Sequence, residues 1–230
     1  MSRRVGERGP GAKAYALAQP ASGRTPWRSA RYCALDLELS GLDPRRDEII
    51  SFGAIPIEDG RVRPGEALEG WVRPERALEE ASILVHGLRT VDLGDAPGLD
   101  VAIDPLLGAM ASRIPVVHFA EIERRFLRRA LRRQGLRLRG PMVDTSVLGA
   151  IWLHERDCAP ARRMMLPELA DALDLPAHHP HEAVGDALTT AQVFLVLATH
   201  LDALRPQTVR SLVTAGRQLD AIRMYPAHGL

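Results

Sequence analysis

The sequence predicts a three-layer α/β sandwich on a mixed five-stranded sheet, an antiparallel three-strand meander plus two further strands, flanked by helices. Three observations predict it. Residues 31–72 read as three consecutive strands joined by tight-turn signals. Beyond residue 99, segments of helical period alternate with two short apolar strands. The 230 residues, 46% apolar and 26% charged, suffice for one domain with a full core.

Residues 1–26 are rich in Gly, Pro, Arg and Ala without periodicity, and read as a mobile basic arm. A main domain is expected over 27–204, with a helix and tail over 205–230. The first strand runs from Arg31 to about Gly41, and Asp43-Pro44 opens the turn that follows. Ile49–Ile57 is the second strand. Asp59-Gly60 suits a hairpin turn into a third strand over Arg61–Val72. A short helix precedes His86-Gly87. Leu99–Arg113 is helical, with Pro105 as a kink or a start. Ile114–His118 is a buried strand. Glu121–Gln134 is a helix closed by Gly135. Met142-Val143 is a brief strand, and Asp144 or Thr145 caps a helix to about His154. Leu166–Leu173 is a short helix. Glu182–Leu201 is a long one, with a stripe of Val184, Ala187, Leu188, Ala191, Leu195, Ala198 and Leu201. Thr208–Arg223 reads as one amphipathic segment.

No uninterrupted apolar run is long enough to span a bilayer, and the N-terminus lacks a signal-peptide core. A cytoplasmic protein without membrane contact is expected. Two cysteines, Cys33 and Cys158, make no disulfide framework. Cys158 has no cysteine partner at zinc-finger spacing. The net charge of +1 hides an asymmetry: residues 1–31 hold seven basic side chains against Glu7, so the remainder is net acidic.

The first strand carries the chemistry. Leu35, Leu37 and Leu39 share one face, so Asp36 and Glu38 share the other. Paired carboxylates in an apolar setting repel and resist desolvation, and a divalent cation with oxygen ligands would justify them. A two-metal phosphodiester site needs several such groups and often a base. In the helix after His118, Glu121 shares a solvated face with Arg125, Arg128 and Arg132, whereas Glu123 lies beside Phe126 and Leu127 and can point inward. Glu123 also fits as a first-turn acid complementing the helix dipole. Asp186 opens the long C-terminal helix. His181, five residues earlier, would lie about 140° away on a regular helix, so it must lean over from the preceding loop.

These residues resemble the DEDDh 3′–5′ exonucleases, relatives of the proofreading subunit of bacterial DNA polymerase III, RNase T and oligoribonuclease. Asp36-Leu37-Glu38 with Ser40-Gly41-Leu42-Asp43-Pro44 is similar to the first motif, and His118–Leu127 to the second. His181-x-Ala183-x-x-Asp186-Ala187 is similar to the third. The likeness covers about residues 31–200. Glu123 stands where the family usually has Asp, Phe119 where it has Asn, and Leu39 where it commonly has Thr.

The resemblance implies a ribonuclease H-like fold and an exonuclease domain over 27–204. It implies that Asp36, Glu38, Glu123 and Asp186 hold two Mg²⁺ or Mn²⁺ ions, with His181 as general base. The partner is the single-stranded 3′ end of DNA or RNA, met by Leu39, Ser40, Gly41, His86 and Phe119, with nucleoside 5′-monophosphate as product. A polymerase or a second copy is a possible protein partner. Two other readings stand beside this one: a weakened end-binding scaffold, and an unrelated nucleotide hydrolase.

Overall fold

The computed structural model describes residues 8–19, 21–158 and 160–224. Among the described residues, six strands form one mixed sheet: β1 Tyr32–Leu39, β2 Ile49–Glu58, β3 Arg61–Val62, β4 Leu68–Trp71, β5 Ile114–Val117 and β6 Val143–Asp144. Their order is β3-β2-β1-β5-β6, with β4 also paired to β2. β1 runs antiparallel to β2 and parallel to β5, which pairs in parallel with β6. The expected five strands become six among the described residues because the third strand breaks. Pro64, which has no amide hydrogen for the ladder, and Gly65 turn the chain through Pro64–Glu66, and pairing to β2 resumes at Leu68.

The helices are α1 Pro10–Leu17, α2 Glu80–His86, α3 Leu99–Met110, α4 Ala120–Arg133, α5 Thr145–Asp157, α6 Leu166–Ala172, α7 Ala183–Leu204, α8 Val209–Val213 and α9 Ala215–Met224. They make two layers. Tyr32, Ala34, Ile55 and Val116 pack with α5–α9, while Cys33, Leu35, Leu37 and Phe52 pack with α1, α3 and α4. The strand alternation therefore holds: even-numbered β1 residues, Asp36 and Glu38 among them, face α7.

Three expectations change. The mobile arm is replaced in part by α1, whose Ala12 and Tyr15 are buried against α3. The Asp104 carboxylate accepts from the Gly11 and Ala12 amides at 3.0 and 2.8 Å, satisfying helix-start donors from a distant residue. Residues 1–7 of that arm lie outside the described residues. Pro105 sits inside α3 and neither starts it nor ends it. Thr208–Arg223 divides at Thr214 into α8, which has a Thr208–Ser211 capping box, and α9.

By length and composition alone α7 could cross a membrane, with a mean hydropathy of 1.4. It is instead the central core helix, in contact with β1, β2 and α5. Gly185, Thr189, Val193 and Phe194 are buried outside the expected stripe, because both flanks of the helix are covered.

Candidate active site

Asp36 and Glu38 from β1 meet Asp186 from α7, with one carboxylate oxygen of each lying within 4.8 Å of the others. Local sequence makes this approach possible. Gly53 pairs with Asp36 across β1 and β2. A methyl group at Gly53 would lie 2.2 Å from the Ala183 carbonyl oxygen, so only glycine lets the start of α7 cross the strand there. Gly185 does the same toward the preceding loop, where added carbon would meet the His178 carbonyl oxygen at 2.4 Å. Asp186 sits in the first turn of α7, where the helix dipole favours a carboxylate. Its Oδ2 accepts the His181 backbone amide at 2.9 Å. His181 has φ of 66°, a left-handed conformation that turns the chain into the helix.

Glu123 lies just outside this trio. It is buried, its carboxylate accepts from the Leu37 amide, and its Oε2 has no partner. A buried carboxylate oxygen without a donor is costly, and a cation would satisfy it.

The electrostatics agree with the geometry. Burial, then Glu38 and Asp186, hold the Asp36 carboxyl well above the usual range. Burial and Asp186 push Glu38 to about 7. Glu123 is raised by burial and then by Asp36 and Glu38. Asp186 is raised by burial, tempered by the His181 amide and by the charge of His181. Four hard-oxygen donors that repel one another fit a divalent cation.

A stability consequence follows. Each of these carboxyls binds its proton more tightly folded than unfolded, so between the ordinary carboxylate range and the raised one the native state holds more protons. The metal-free protein should be fully stable near pH 4.5 and lose stability as pH rises, with the Glu38 contribution complete above about pH 7. Glu38 alone accounts for about 3 kcal/mol. Urea unfolding in chelator at pH 5, 6, 7 and 8 measures it; a flat or rising profile contradicts the cluster.

The trio floors a cleft of about 570 Å³ whose walls include every residue predicted to touch substrate: Leu39, Ser40, Gly41, His86 and Phe119. His181 also lines it, with an exposed side chain. Ser40 accepts the Glu48 amide at 2.9 Å and so ties down the turn after β1. His86 is 8% exposed. Its Nδ1 accepts from the Leu88 amide at 3.0 Å, which leaves the proton on Nε2, a buried donor without a partner. Burial and the charge of His181 lower its pKa. Phe119 adopts φ of 59° as the N-cap of α4, a conformation that asparagine tolerates better.

Arg163 was not singled out in the sequence, and nothing in its loop signals it. Its guanidinium lies 4.5 Å over the Phe119 ring and bonds Glu121, Asp144 and the Ser146 hydroxyl. Glu121 is thereby paired as well as half-exposed. Asp144 is a helix cap: it accepts from the Ser146 amide and from the Ala120 amide that starts α4. His118 is spent on structure, between Thr145 Oγ1 at 2.9 Å and the Met164 carbonyl at 3.0 Å, and burial lowers its pKa to about 4.

A family model described as Exonuclease, of the RNase T type, matches residues 33–194. The chain belongs to this exonuclease family. The chain is 31% identical over 170 residues to a PolC-type DNA polymerase III from Thermotoga petrophila, covering 74% of the chain and 12% of that relative. It thus spans about an eighth of the length of that relative. The DNA polymerase III subunit epsilon of Aquifex aeolicus is 24% identical, with 74% of the chain and 81% of the relative covered. Exonuclease X, solved in complex with 5′ overhanging duplex DNA, superposes with a TM-score of 0.60 at 19% identity, over 81% of this chain and 98% of that one. The fold is the ribonuclease H-like one that the motifs imply.

Proposed function

We propose that this exonuclease removes nucleoside 5′-monophosphates from single-stranded 3′ ends, DNA before RNA. The observation that carries this is the meeting of Asp36, Glu38 and Asp186 at the floor of an open cleft. Those three and Glu123 would hold two divalent ions, Mg²⁺ or Mn²⁺. When bound, the ions supply Lewis acidity for the attacking water and charge neutralisation for the leaving 3′ oxygen. His181, on the exposed side of the cleft, takes the water's proton. The His86 Nε2–H donates to a phosphate or base oxygen of the bound end. Phe119, with Arg163 on its ring, stacks on a base.

The polymerase III names of the relatives support DNA and a replication or repair setting. The free thiols of Cys33 and Cys158 are consistent with a reducing compartment. The placement of Glu123 outside the trio favours a second reading, an end-binding module with weakened turnover.

One assay separates them: 3′-labelled single-stranded DNA, duplex DNA and RNA, with and without Mn²⁺, with Asp186→Ala as control. Mononucleotide release that the variant loses supports the enzyme. Binding without release supports the module. Cleavage of free nucleotides alone overturns both. His181→Asn should lower turnover by about 10²–10⁴-fold, the usual worth of a general base, with little change in thermal midpoint. Full turnover in that variant removes His181 from the mechanism.

A further inference from the structure

The six arginines of α4 are not equivalent. Arg129 is spent on the Pro44 and Asp47 carbonyls at 2.7 and 2.8 Å, and Arg133 on Asp100 and Glu75 at 3.1 and 2.9 Å. Arg125, Arg128 and Arg132 are exposed, and none has a hydrogen bond or ion pair to any described residue. Spacings of three and four place them in one row along the outer face of α4. Apart from the electrostatic pull of Arg125 on Glu121 one turn earlier, their charge has no described partner, on a chain that is net acidic beyond residue 31.

The row begins at a groove that neighbours the catalytic cleft. Arg125 lines a groove of about 480 Å³ together with Ser40, Gly41, Leu42 and Arg46. Ser40, Gly41 and Leu42 are also walls of the catalytic cleft, so the two hollows adjoin at that turn. The groove also holds Glu79, which opposes an anion at its cleft end, and Asp43 and Asp47. The two aspartate carboxylates are engaged with the Arg45 and Asp43 amides at 3.0 and 2.7 Å, which moderates their repulsion of an anion.

We propose that Arg125, Arg128 and Arg132 form a track for the phosphates of the nucleic-acid strand upstream of the 3′ residue being cleaved. The track rests on the exonuclease reading and adds the strand's exit path to it. Seven helical residues span about 10 Å, which matches about three phosphates at the ~3.4 Å axial spacing of a stacked strand. Contact is to phosphate and carries no sequence preference.

The test uses the full chain with Arg125, Arg128 and Arg132 all changed to Ala, and separately all to Lys. Binding of a fluorescent 12-mer DNA in chelator, where cleavage stops, is measured from 50 to 300 mM salt. Three lost contacts should flatten the slope of log affinity against log salt by about 2 in the Ala variant, with most of the slope kept in the Lys variant. With Mn²⁺ present, the Ala variant should lose at least ~10-fold more turnover on the 12-mer than on a dinucleotide, which is too short to reach the row. A wild-type slope overturns the track, and so does an equal loss on both substrates. Wild-type protein that holds polyglutamate as tightly as the 12-mer overturns the choice of nucleic acid. Binding in chelator reads the track even if no oligomer is cleaved, so failure of the exonuclease reading shows separately.

Discussion

Asp36→Asn is expected to abolish turnover, by at least about 10³-fold, and to raise the thermal midpoint of the chelator-treated protein at pH 8. Loss of outer-shell partners of a metal costs about 10–100-fold, and Asp36 is one of the three carboxylates that meet in the proposed ligand set, so its loss should cost more. The stability effect has the opposite sign because the same carboxyl burdens the metal-free fold. It is flanked by Glu38 and Asp186, and burial holds its proton far above the ordinary range. At pH 8 the folded protein must either carry a partly buried charge among like charges or take up a proton that the unfolded chain releases, and an amide does neither. A gain of about 1–2 kcal/mol corresponds to a rise of roughly 2–8 °C for a chain of this size. At pH 5 the difference should shrink, since the unfolded carboxyl is then nearer protonation. Calorimetry in chelator at both pH values, beside turnover with Mn²⁺, measures it. A variant that keeps turnover, or is less stable than wild type at pH 8, contradicts the assignment.

What the sequence revealed about this site follows the range of the interactions involved. Asp36 and Glu38 were legible because strand alternation is a local rule and Leu35, Leu37 and Leu39 declare the buried face. Asp186 and His181 depend on a contact between β1 and a helix some 150 residues later, and only the ordered motifs linked them. Glu123 was correctly turned inward by helical phase, yet phase says nothing about reach, and the carboxylate lies outside the trio. Helix α1 was missed because its first donors are satisfied by Asp104, 92 and 93 residues away, a support that composition cannot show. The break at Pro64-Gly65 has a local signal, because a proline within a strand pattern argues for interruption. Arg163 had no local signal, since its partners come from α4, the end of β6 and the start of α5. Gly53 did have one. A glycine inside an apolar strand marks close approach of another backbone, and that approach is what assembles the site.

Gly53→Ala should therefore disable the enzyme without touching a ligand. The new methyl group would stand 2.2 Å from the Ala183 oxygen, 2.3 Å from its carbonyl carbon and 2.4 Å from the Val184 nitrogen. All three are backbone atoms, so no side-chain rotation relieves the contact. The first turn of α7 must lift by about 1 Å, and Asp186, three residues into the helix, lifts with it. Misplacement of that size costs about 10²-fold in rate. Overpacking of this kind also costs about 1–3 kcal/mol of stability. The expected signature is a fall in turnover of about 10²-fold with a higher Mn²⁺ requirement, because Asp186 retreats from Asp36 and Glu38 while all three side chains remain. Gly65→Ala is the matched control, as its added methyl group would meet nothing within 4 Å. Thermal melts, Mn²⁺ titration of turnover and the two variants side by side separate the outcomes. If Gly53→Ala matches Gly65→Ala in turnover and metal requirement, the close crossing of α7 over β2 is not what holds Asp186 in place.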